Sequence, residues 1–295
     1  MAPVSAQSTP RIALIGAGLM GCGLARMFRQ MDWAVSVWDQ SAPALLRLCA
    51  EVPGTRAARD LRDAVDGADL VIEAIVEKPG IKQELFEQLA TLTDERTLLA
   101  TNSSVIPVAT VAARVPDSHA GRVLGTHFWN PPDLIPLVEV IQGPRTSPPS
   151  IERALVLLTA AGKEPVHVRR DVVPGNRLQH ALWREAMALV EEGVCSPADV
   201  DHIIKRSFGA RLAVLGPLEN ADLVGLPLTQ HIHEVVLPSL SRATTPSPAL
   251  ATRLAAGHTG IGSGQGFYDQ WDEASVKALR DRLAAHLLRS FGPRG

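Results

Sequence analysis

The feature that most constrains the fold is a glycine pattern close to the start of the chain. The apolar run RIALIG begins at Arg11 and is followed by Gly16-x-Gly18-x-x-Gly21 and the helix-like segment LMGCGLARMFRQM. A second apolar run, AVSVWD, ends at Asp39. A strand, a glycine turn, a helix and a second strand within about thirty residues predict a βαβ unit.

Such a turn is suited to binding a dinucleotide. Small residues let the backbone approach a pyrophosphate, and the N-terminus of the following helix, with Leu19 and Met20 in its first turn, faces the negative charge. Asp39 lies 23 residues after Gly16, where a carboxylate accepts hydrogen bonds from ribose hydroxyls and repels a 2′-phosphate. NAD is therefore predicted in preference to NADP. FAD, and a turn kept only for packing with Asp39 as a helix cap, are the alternatives.

The rest of the chain divides into two parts. Apolar runs from Asp69, Thr97 and Arg122 alternate with helix-like stretches, and this alternation predicts a parallel sheet covered on both faces. After Pro174 the patterns are helical. We expect a short disordered lead (1–10), an NAD-binding Rossmann-type domain with a doubly wound sheet (11–173), and an all-α domain for substrate binding and dimerisation (174–295).

Charge and cysteine content exclude several functional classes. The 295 residues carry a formal charge of −2 without single-sign blocks, so neither nucleic acid nor a membrane surface is an expected partner. Apolar runs are too short to span a membrane, and the N-terminus lacks a secretory or organellar targeting pattern. Cys22, Cys49 and Cys195 show neither disulfide nor zinc spacing. A cytoplasmic protein without a metal is predicted.

Four later segments bear on the chemistry: ATNSS from Ala100, HFWNPP from His127, LIPLVEVI from Leu134 and GNRLQHALWREA from Gly175. On these segments the chain resembles the 3-hydroxyacyl-CoA dehydrogenase family, from about Arg11 to Trp271. The 12-residue spacing between His127 and Glu139 also matches the family pattern. The resemblance implies reversible NAD-dependent oxidation of a 3-hydroxyl to a ketone, a place in fatty acid metabolism, and a homodimer.

A histidine is a suitable base for this reaction because it titrates near neutrality and can accept the hydroxyl proton. His127 is that candidate, and Glu139 would bind its other ring nitrogen and stabilise the imidazolium. A histidine near a strand end can also be purely structural, but the spacing to Glu139 favours the catalytic role.

Matching to the family assigns further roles. Ser104 and Asn176 would contact the substrate oxygen, and Ser104 would also lie close to the cofactor. Asn130 would lie beside the nicotinamide, and Glu77 and Lys82 would line the cofactor. Ser104 and Asn176 could instead cap helices, and Lys82 could be a solvated helix charge.

The chain departs from the family in two places. Relatives that act on coenzyme A thioesters carry a long helical insertion after the second strand, whereas Asp39 and Asp69 are only 30 residues apart. This connection has room for one helix, a short strand and a short helix, so the coenzyme A platform is missing or reduced. Its arginines could still meet a phosphate or carboxylate, or form a solvated face: Arg47, Arg56, Arg59 and Arg62. The segment before Asn176 is also shortened.

Several substrates therefore remain open. A 3-hydroxyacyl group on coenzyme A or on a carrier protein is one possibility. A small 3-hydroxy acid, as in the gulonate 3-dehydrogenase, lambda-crystallin and carnitine dehydrogenase branch, is another. A catalytically idle protein of crystallin type is the alternative from another class, and the presence of both His127 and Glu139 argues against it. A lysine-dependent dehydrogenase of the hydroxyisobutyrate type is disfavoured because HFWNP supplies a histidine.

Overall fold

The computed structural model describes residues 9–292, so the predicted lead, residues 1–10, lies mostly outside the described part. Within this range eight strands form one sheet in the order β3-β2-β1-β4-β5-β6-β7-β8. The strands are β1 (Arg11–Ile15), β2 (Ala34–Trp38), β3 (Arg56–Ala57), β4 (Leu70–Glu73), β5 (Leu98–Thr101), β6 (Val123–Phe128), β7 (Leu137–Ile141) and β8 (Glu164–Val168).

Helices connect the strands, and their starts follow local sequence signals. Ser41 and Ser147 each accept a hydrogen bond from a first-turn backbone N–H, and a proline follows each of them within the first turn. Both features favour a helix N-terminus. The helices of this part are α1 (Leu19–Gln30), α2 (Ala42–Glu51), α3 (Leu61–Val65), α4 (Pro79–Leu92), α5 (Val108–Val111), α6 (Asp117–Ala120) and α7 (Pro148–Ala160).

The sheet is covered on both faces, as the sequence predicts. Ile12 and Leu14 of β1 belong to one buried cluster, which includes Phe28 of α1 and Leu158 of α7. The alternate residues of β1 belong to a second cluster together with residues of α3, α4 and α5. Because successive side chains of a strand point to opposite faces, this division confirms the doubly wound α/β fold.

One pairing departs from a purely parallel sheet. β6 and β7 are antiparallel, with His127 directly opposite Glu139, whereas the other pairings are parallel. The chain moves outward from β1 to β3 and then returns to place β4 beside β1. The point of reversal lies between β1 and β4, where open α/β sheets bind their ligands.

The second compact unit, residues 175–283, is helical. Its helices are α8 (Pro174–Glu191), α9 (Pro197–Arg206), α10 (Pro217–Val224), α11 (Leu226–Val236), α12 (Pro248–Ala255) and α13 (Glu273–Phe291), the last of which continues beyond the unit. A capping box between Ser196 and Asp199 begins α9. Across residues 9–292, none of the helices combines the length and apolarity that a membrane span requires.

Candidate active site

The candidate catalytic pair lies at the carboxyl end of β6. His127 is the penultimate residue of this strand rather than a residue beyond it, and Glu139 lies on β7. Their register places both side chains on one face, with His127 Nδ1 2.7 Å from a carboxylate oxygen of Glu139. Both side chains are buried. With Nδ1–H donating to the carboxylate, Nε2 of the neutral ring is an acceptor.

Ser104 reaches the other ring nitrogen. Its Oγ lies 3.1 Å from His127 Nε2, so the hydroxyl donates to Nε2 of the neutral ring. The alternative that Ser104 caps a helix is wrong, because the next helix, α5, begins at Val108 with Pro107 as its N-cap. The histidine is therefore held at both nitrogens, by Glu139 and by Ser104.

A charged cluster, in which Glu73 and Lys82 are buried and Glu77 is exposed, lies beside Ser104. Lys82 is only 1 % exposed, which contradicts its alternative as a solvated charge. Its ammonium donates to the carboxylate of Glu73 at 2.6 Å and lies 3.3 Å from Glu77. Glu77 accepts hydrogen bonds from the Ser103 hydroxyl at 2.9 Å and from the Ser104 backbone N–H at 3.1 Å. Glu77 and Lys82 are thus connected to the serine segment that contacts the histidine.

The glycine turn between β1 and α1 fits a dinucleotide. Gly16 has a φ of +114°, and a Cβ there would lie 2.5 Å from the Ala74 carbonyl oxygen, so packing alone requires this glycine. A Cβ at Gly18 would meet no atom within 4 Å. No side chain caps the N-terminus of α1 at Gly18. The space above Gly18 and the uncapped N–H groups therefore form a cradle for an anionic group.

Asp39 lies in a cleft of about 460 Å³ that Gly16 and Gly18 also line. Its carboxylate accepts hydrogen bonds from the N–H groups of Ala17, at 2.6 Å, and of Ser41, at 2.7 Å. The carboxylate is thereby fixed at the edge of the cleft beside the glycine turn. Each oxygen keeps a further lone pair for a ribose hydroxyl.

Asn130 lies on a second cleft, of about 300 Å³, which Gly18 and Leu19 also border. Gly18 thus lines both clefts. Met20 is half-buried against the core, and a Cβ at Gly21 would overlap the Gly16 carbonyl. Within the described range, no group of three or more histidine, cysteine or acidic side chains could hold a metal ion.

Comparison with known proteins agrees with this geometry. The family model for the 3-hydroxyacyl-CoA dehydrogenase NAD-binding domain matches residues 11–172, and the model for its C-terminal domain matches residues 174–270. The chain belongs to the 3-hydroxyacyl-CoA dehydrogenase family. It is an NAD-dependent dehydrogenase.

Individual relatives differ in the substrates they are named for. A 5-formyl-3-hydroxy-2-methylpyridine 4-carboxylate 5-dehydrogenase from Mesorhizobium japonicum is 33 % identical and covers 94 % of this chain and 96 % of its own. A crystal structure of such an enzyme, described as an NAD⁺-dependent dismutase, has a TM-score of 0.89, 31 % identity, and coverage of 95 % and 97 %. The (S)-3-hydroxybutyryl-CoA dehydrogenase of Ralstonia eutropha has a TM-score of 0.72, 27 % identity, and coverage of 90 % and 100 %.

The remaining residues predicted for the dehydrogenase belong to other elements. Asn176 occupies the first turn of α8, in the helical unit. Arg56 donates to the carboxylate of Asp63 at 2.9 Å and is therefore engaged within the chain, and Arg59 lies 3.6 Å from the same carboxylate. Arg47 borders the cleft that contains Asn130.

Sequence analysis missed several residues that hold the site of the dehydrogenase together. Asn102 Oδ1 accepts the Phe128 N–H at 3.0 Å, which ties the end of β5 to the strand that carries His127. The buried Lys163 ammonium donates to the carbonyls of Pro132 and Ile135, in the connection between β6 and β7. Burial lowers the pKa of Lys163. Asn102 lies within the ATNSS segment, whereas Lys163 has no recognisable local signal.

Cys22 is the one cysteine close to the glycine turn. Its thiol donates to the Glu51 carboxylate at 3.2 Å. Burial, followed by this hydrogen bond, raises the pKa of the Cys22 thiol. The thiol is therefore held protonated, which suits a small packing residue rather than a nucleophile.

Proposed function

We propose that this dehydrogenase oxidises the 3-hydroxyl of a small hydroxy acid to a ketone, reversibly, with His127 as the general base. The observation that carries the proposal is the buried histidine whose Nδ1 lies 2.7 Å from Glu139 and whose Nε2 faces Ser104. This arrangement fixes the tautomer and leaves Nε2 as the proton acceptor.

The residues of the chain then have distinct tasks. Nε2 of His127 accepts the proton of the substrate hydroxyl, and the Glu139 carboxylate stabilises the imidazolium that results. The Ser104 hydroxyl, which donates to Nε2 at 3.1 Å in the free protein, turns on substrate binding to donate to the substrate oxygen, so that Nε2 can accept the substrate proton. Asn176 is proposed as a second partner of that oxygen.

NAD, when bound, supplies the acceptor for the hydride that leaves the carbinol carbon. Asp39 would hold the adenosine ribose, and the N–H groups after Gly18 would hold the pyrophosphate. Leu19 and Met20 belong to this first helical turn. Asn130 and Glu77 are proposed to lie along the nicotinamide half, with Lys82 holding Glu77 in position.

The short connection after β2 favours a substrate without coenzyme A. Between Trp38 and Leu70 the chain forms only α2, the two-residue β3 and α3, and this leaves no helical insertion to bind an adenosine phosphate. The higher TM-score is also with an enzyme named for a pyridine carboxylate, 0.89 against 0.72 for the hydroxybutyryl-CoA dehydrogenase. A free carboxylic acid is therefore the proposed substrate class.

A substrate panel tests this proposal. NADH formation at alkaline pH is measured with 3-hydroxybutyrate, L-carnitine, gulonate, 3-hydroxybutyryl-CoA, a carrier-bound hydroxyacyl group and 5-formyl-3-hydroxy-2-methylpyridine 4-carboxylate. The largest kcat/KM is expected with a free 3-hydroxy acid. Preference for the pyridine compound, whose oxidisable group is an aldehyde, would overturn the proposed alcohol oxidation. Preference for either thioester would overturn the substrate class, and absence of NADH with every compound would overturn the proposed reaction.

We also propose a homodimer formed through the helical unit. Helices α8, α10 and α11 have no buried residue in the single chain, while large apolar side chains such as Leu223 and Val235 are exposed. An apolar surface of this extent on one unit is typical of an obligate interface. A second copy of the chain is the occupant that the family resemblance implies.

A further inference from the structure

The buried carboxylate of Glu73 is not used by the proposed mechanism. Glu73 is the last residue of β4, beside the point where the strand order reverses, and its side chain has no exposed surface. A buried carboxylate is costly unless it is paired and hydrogen-bonded. Glu73 satisfies this condition with three partners, which are the Ile75 N–H at 2.8 Å, the Thr101 hydroxyl at 2.7 Å and the Lys82 ammonium at 2.6 Å.

Two of these partners lead to the serine segment that contacts the histidine. Through the first, the Thr101 hydroxyl donates to Glu73 and accepts the Ser103 N–H at 3.2 Å. Through the second, Lys82 pairs with Glu77, which accepts the Ser103 hydroxyl and the Ser104 N–H. The first route therefore ends at Ser103, and the second ends at Ser103 and Ser104.

We propose that Glu73 is a positioning residue for the reaction: it holds Thr101 and Lys82 so that the Ser103–Ser104 segment sets the contact between the Ser104 hydroxyl and His127 Nε2. The inference rests on the proposed role of His127 as base. The reason is that Glu73, Lys82 and Thr101 are buried, and buried hydrogen-bonded groups have little freedom to relax when one of them is replaced. The 3.1 Å contact at Nε2 should therefore depend on a carboxylate that touches neither substrate nor cofactor.

Two variants separate positioning from stability. Glu73→Gln keeps the shape of the side chain but removes one of the two carboxylates that pair with the Lys82 ammonium. The buried charge of Lys82 is then less well paired, and the variant destabilises the fold for that reason. The double variant Glu73→Gln with Lys82→Met removes both charges and should regain thermal stability without regaining the site geometry. Thr97→Val is the matched control. The Thr97 hydroxyl donates a buried hydrogen bond to the Ala68 carbonyl, and Thr97 lies at the opposite end of β5 from Thr101.

The test is a double-mutant cycle between Glu73→Gln and Ser104→Ala. We expect each single variant to lower kcat by about 10- to 100-fold, the scale of a misplaced reacting geometry, and the combined variant to fall no further than Ser104→Ala. Kinetics use the panel compound with the highest kcat. The ¹⁵N resonance of His127 Nε2 in the free protein, assigned with His127→Gln, should shift alike in all three variants and stay unchanged in Thr97→Val.

Other results would overturn either the positioning role of Glu73 or the proposed role of His127 as base. Wild-type kcat and an unshifted Nε2 resonance in Glu73→Gln, or effects that multiply with Ser104→Ala, would overturn the positioning role. If Glu73→Gln does not fold, the same cycle is measured on the doubly neutral background, with the same criteria. Normal turnover in His127→Gln would instead overturn the proposed base, and the resonance shifts would still decide the role of Glu73.

Discussion

His127 has a different partner at each ring nitrogen, and this asymmetry makes it suitable as a base. Glu139 on the neighbouring strand accepts from Nδ1, and Ser104 in the loop after β5 faces Nε2. A histidine with two strong carboxylate partners would be held as an imidazolium, whereas this one keeps an acceptor nitrogen. Because one partner lies on β7 and the other follows β5 by three residues, the sheet sets the geometry of the site.

The charge of Asp39 should set the preference for NAD over NADP. Replacing it with asparagine removes the charge that opposes a 2′-phosphate while keeping an oxygen that can accept from Ala17. Two unit charges 4 Å apart interact by about 1 kcal/mol in water, so the ratio of kcat/KM for NADP to that for NAD should rise roughly fivefold or more. Steady-state kinetics with both cofactors measure it.

The matched control is Asp60→Asn, because the Asp60 carboxylate also accepts a hydrogen bond from a backbone N–H, that of Asp63 in α3. It should leave the cofactor ratio unchanged. An unchanged ratio in Asp39→Asn as well would mean that Asp39 does not face the ribose.

Contacts between residues could be predicted where spacing and family matching cover the residues together. Four residues were expected to form one group, namely His127, Glu139, Ser104 and Asn176, and the structure shows contacts of His127 with Glu139 and with Ser104. Sequence analysis did not single out Glu73, because its partners Lys82 and Thr101 belong to other elements, α4 and β5. Lys82 was ambiguous for the same reason, since a lysine in a helix carries no sign of a buried partner on a strand.

The glycine turn should need a glycine at position 18 to bind NAD but not to fold. Gly18→Ala should fold with the wild-type melting temperature, because its φ of −77° suits alanine and its Cβ would meet nothing. The methyl group would occupy the space proposed for the pyrophosphate, so the Kd for NAD should rise by about tenfold or more, or about 1.4 kcal/mol. Titration by NADH fluorescence and a thermal melt measure the two effects.

Two further variants, Gly16→Ala and Gly80→Ala, are the controls for Gly18→Ala. The first should destabilise the fold, because its Cβ would overlap the Ala74 carbonyl. The second lies in open space at the start of α4 and should leave the Kd for NAD unchanged. Wild-type affinity in Gly18→Ala would show that the turn is kept for packing alone.

Elements were predictable where hydrophobic runs and turn residues alternate. The connection after Asp39 was expected to contain a helix, a short strand and a short helix, and it contains α2, β3 and α3. The antiparallel direction of β7 was not predicted. An apolar run is the same in either direction, and only the eight residues between β6 and β7 distinguish a hairpin from a crossover.

At the scale of the whole molecule, the two parts of the chain differ in how they are stabilised. The sheet unit contains two buried clusters, whereas several helices of the second unit have no fully buried residue within one chain. The proposed dimer would cover part of that surface. This difference could not be predicted from the sequence, because an amphipathic helix has the same pattern whether it packs within a chain or against a second copy.

Ile232→Glu tests the proposed assembly. Ile232 is 44 % exposed on α11, on the same helical face as Leu228 and Val235, and a carboxylate buried in an interface without a partner opposes association. Light scattering after size exclusion should give a dimer for the wild type and a monomer for this variant. Val156→Glu, at an exposed site on α7, should remain a dimer. A monomeric wild type would contradict the proposal.

The turnover of His127→Gln tests whether His127 is the base of an NAD-dependent alcohol oxidation. NADH formation is measured with the panel compound that gives the highest kcat, alongside the Kd for NAD. We expect an unchanged Kd and a kcat lowered by about 10² to 10⁴, the usual contribution of a positioned general base. A kcat equal to that of the wild type would contradict the proposed role of His127.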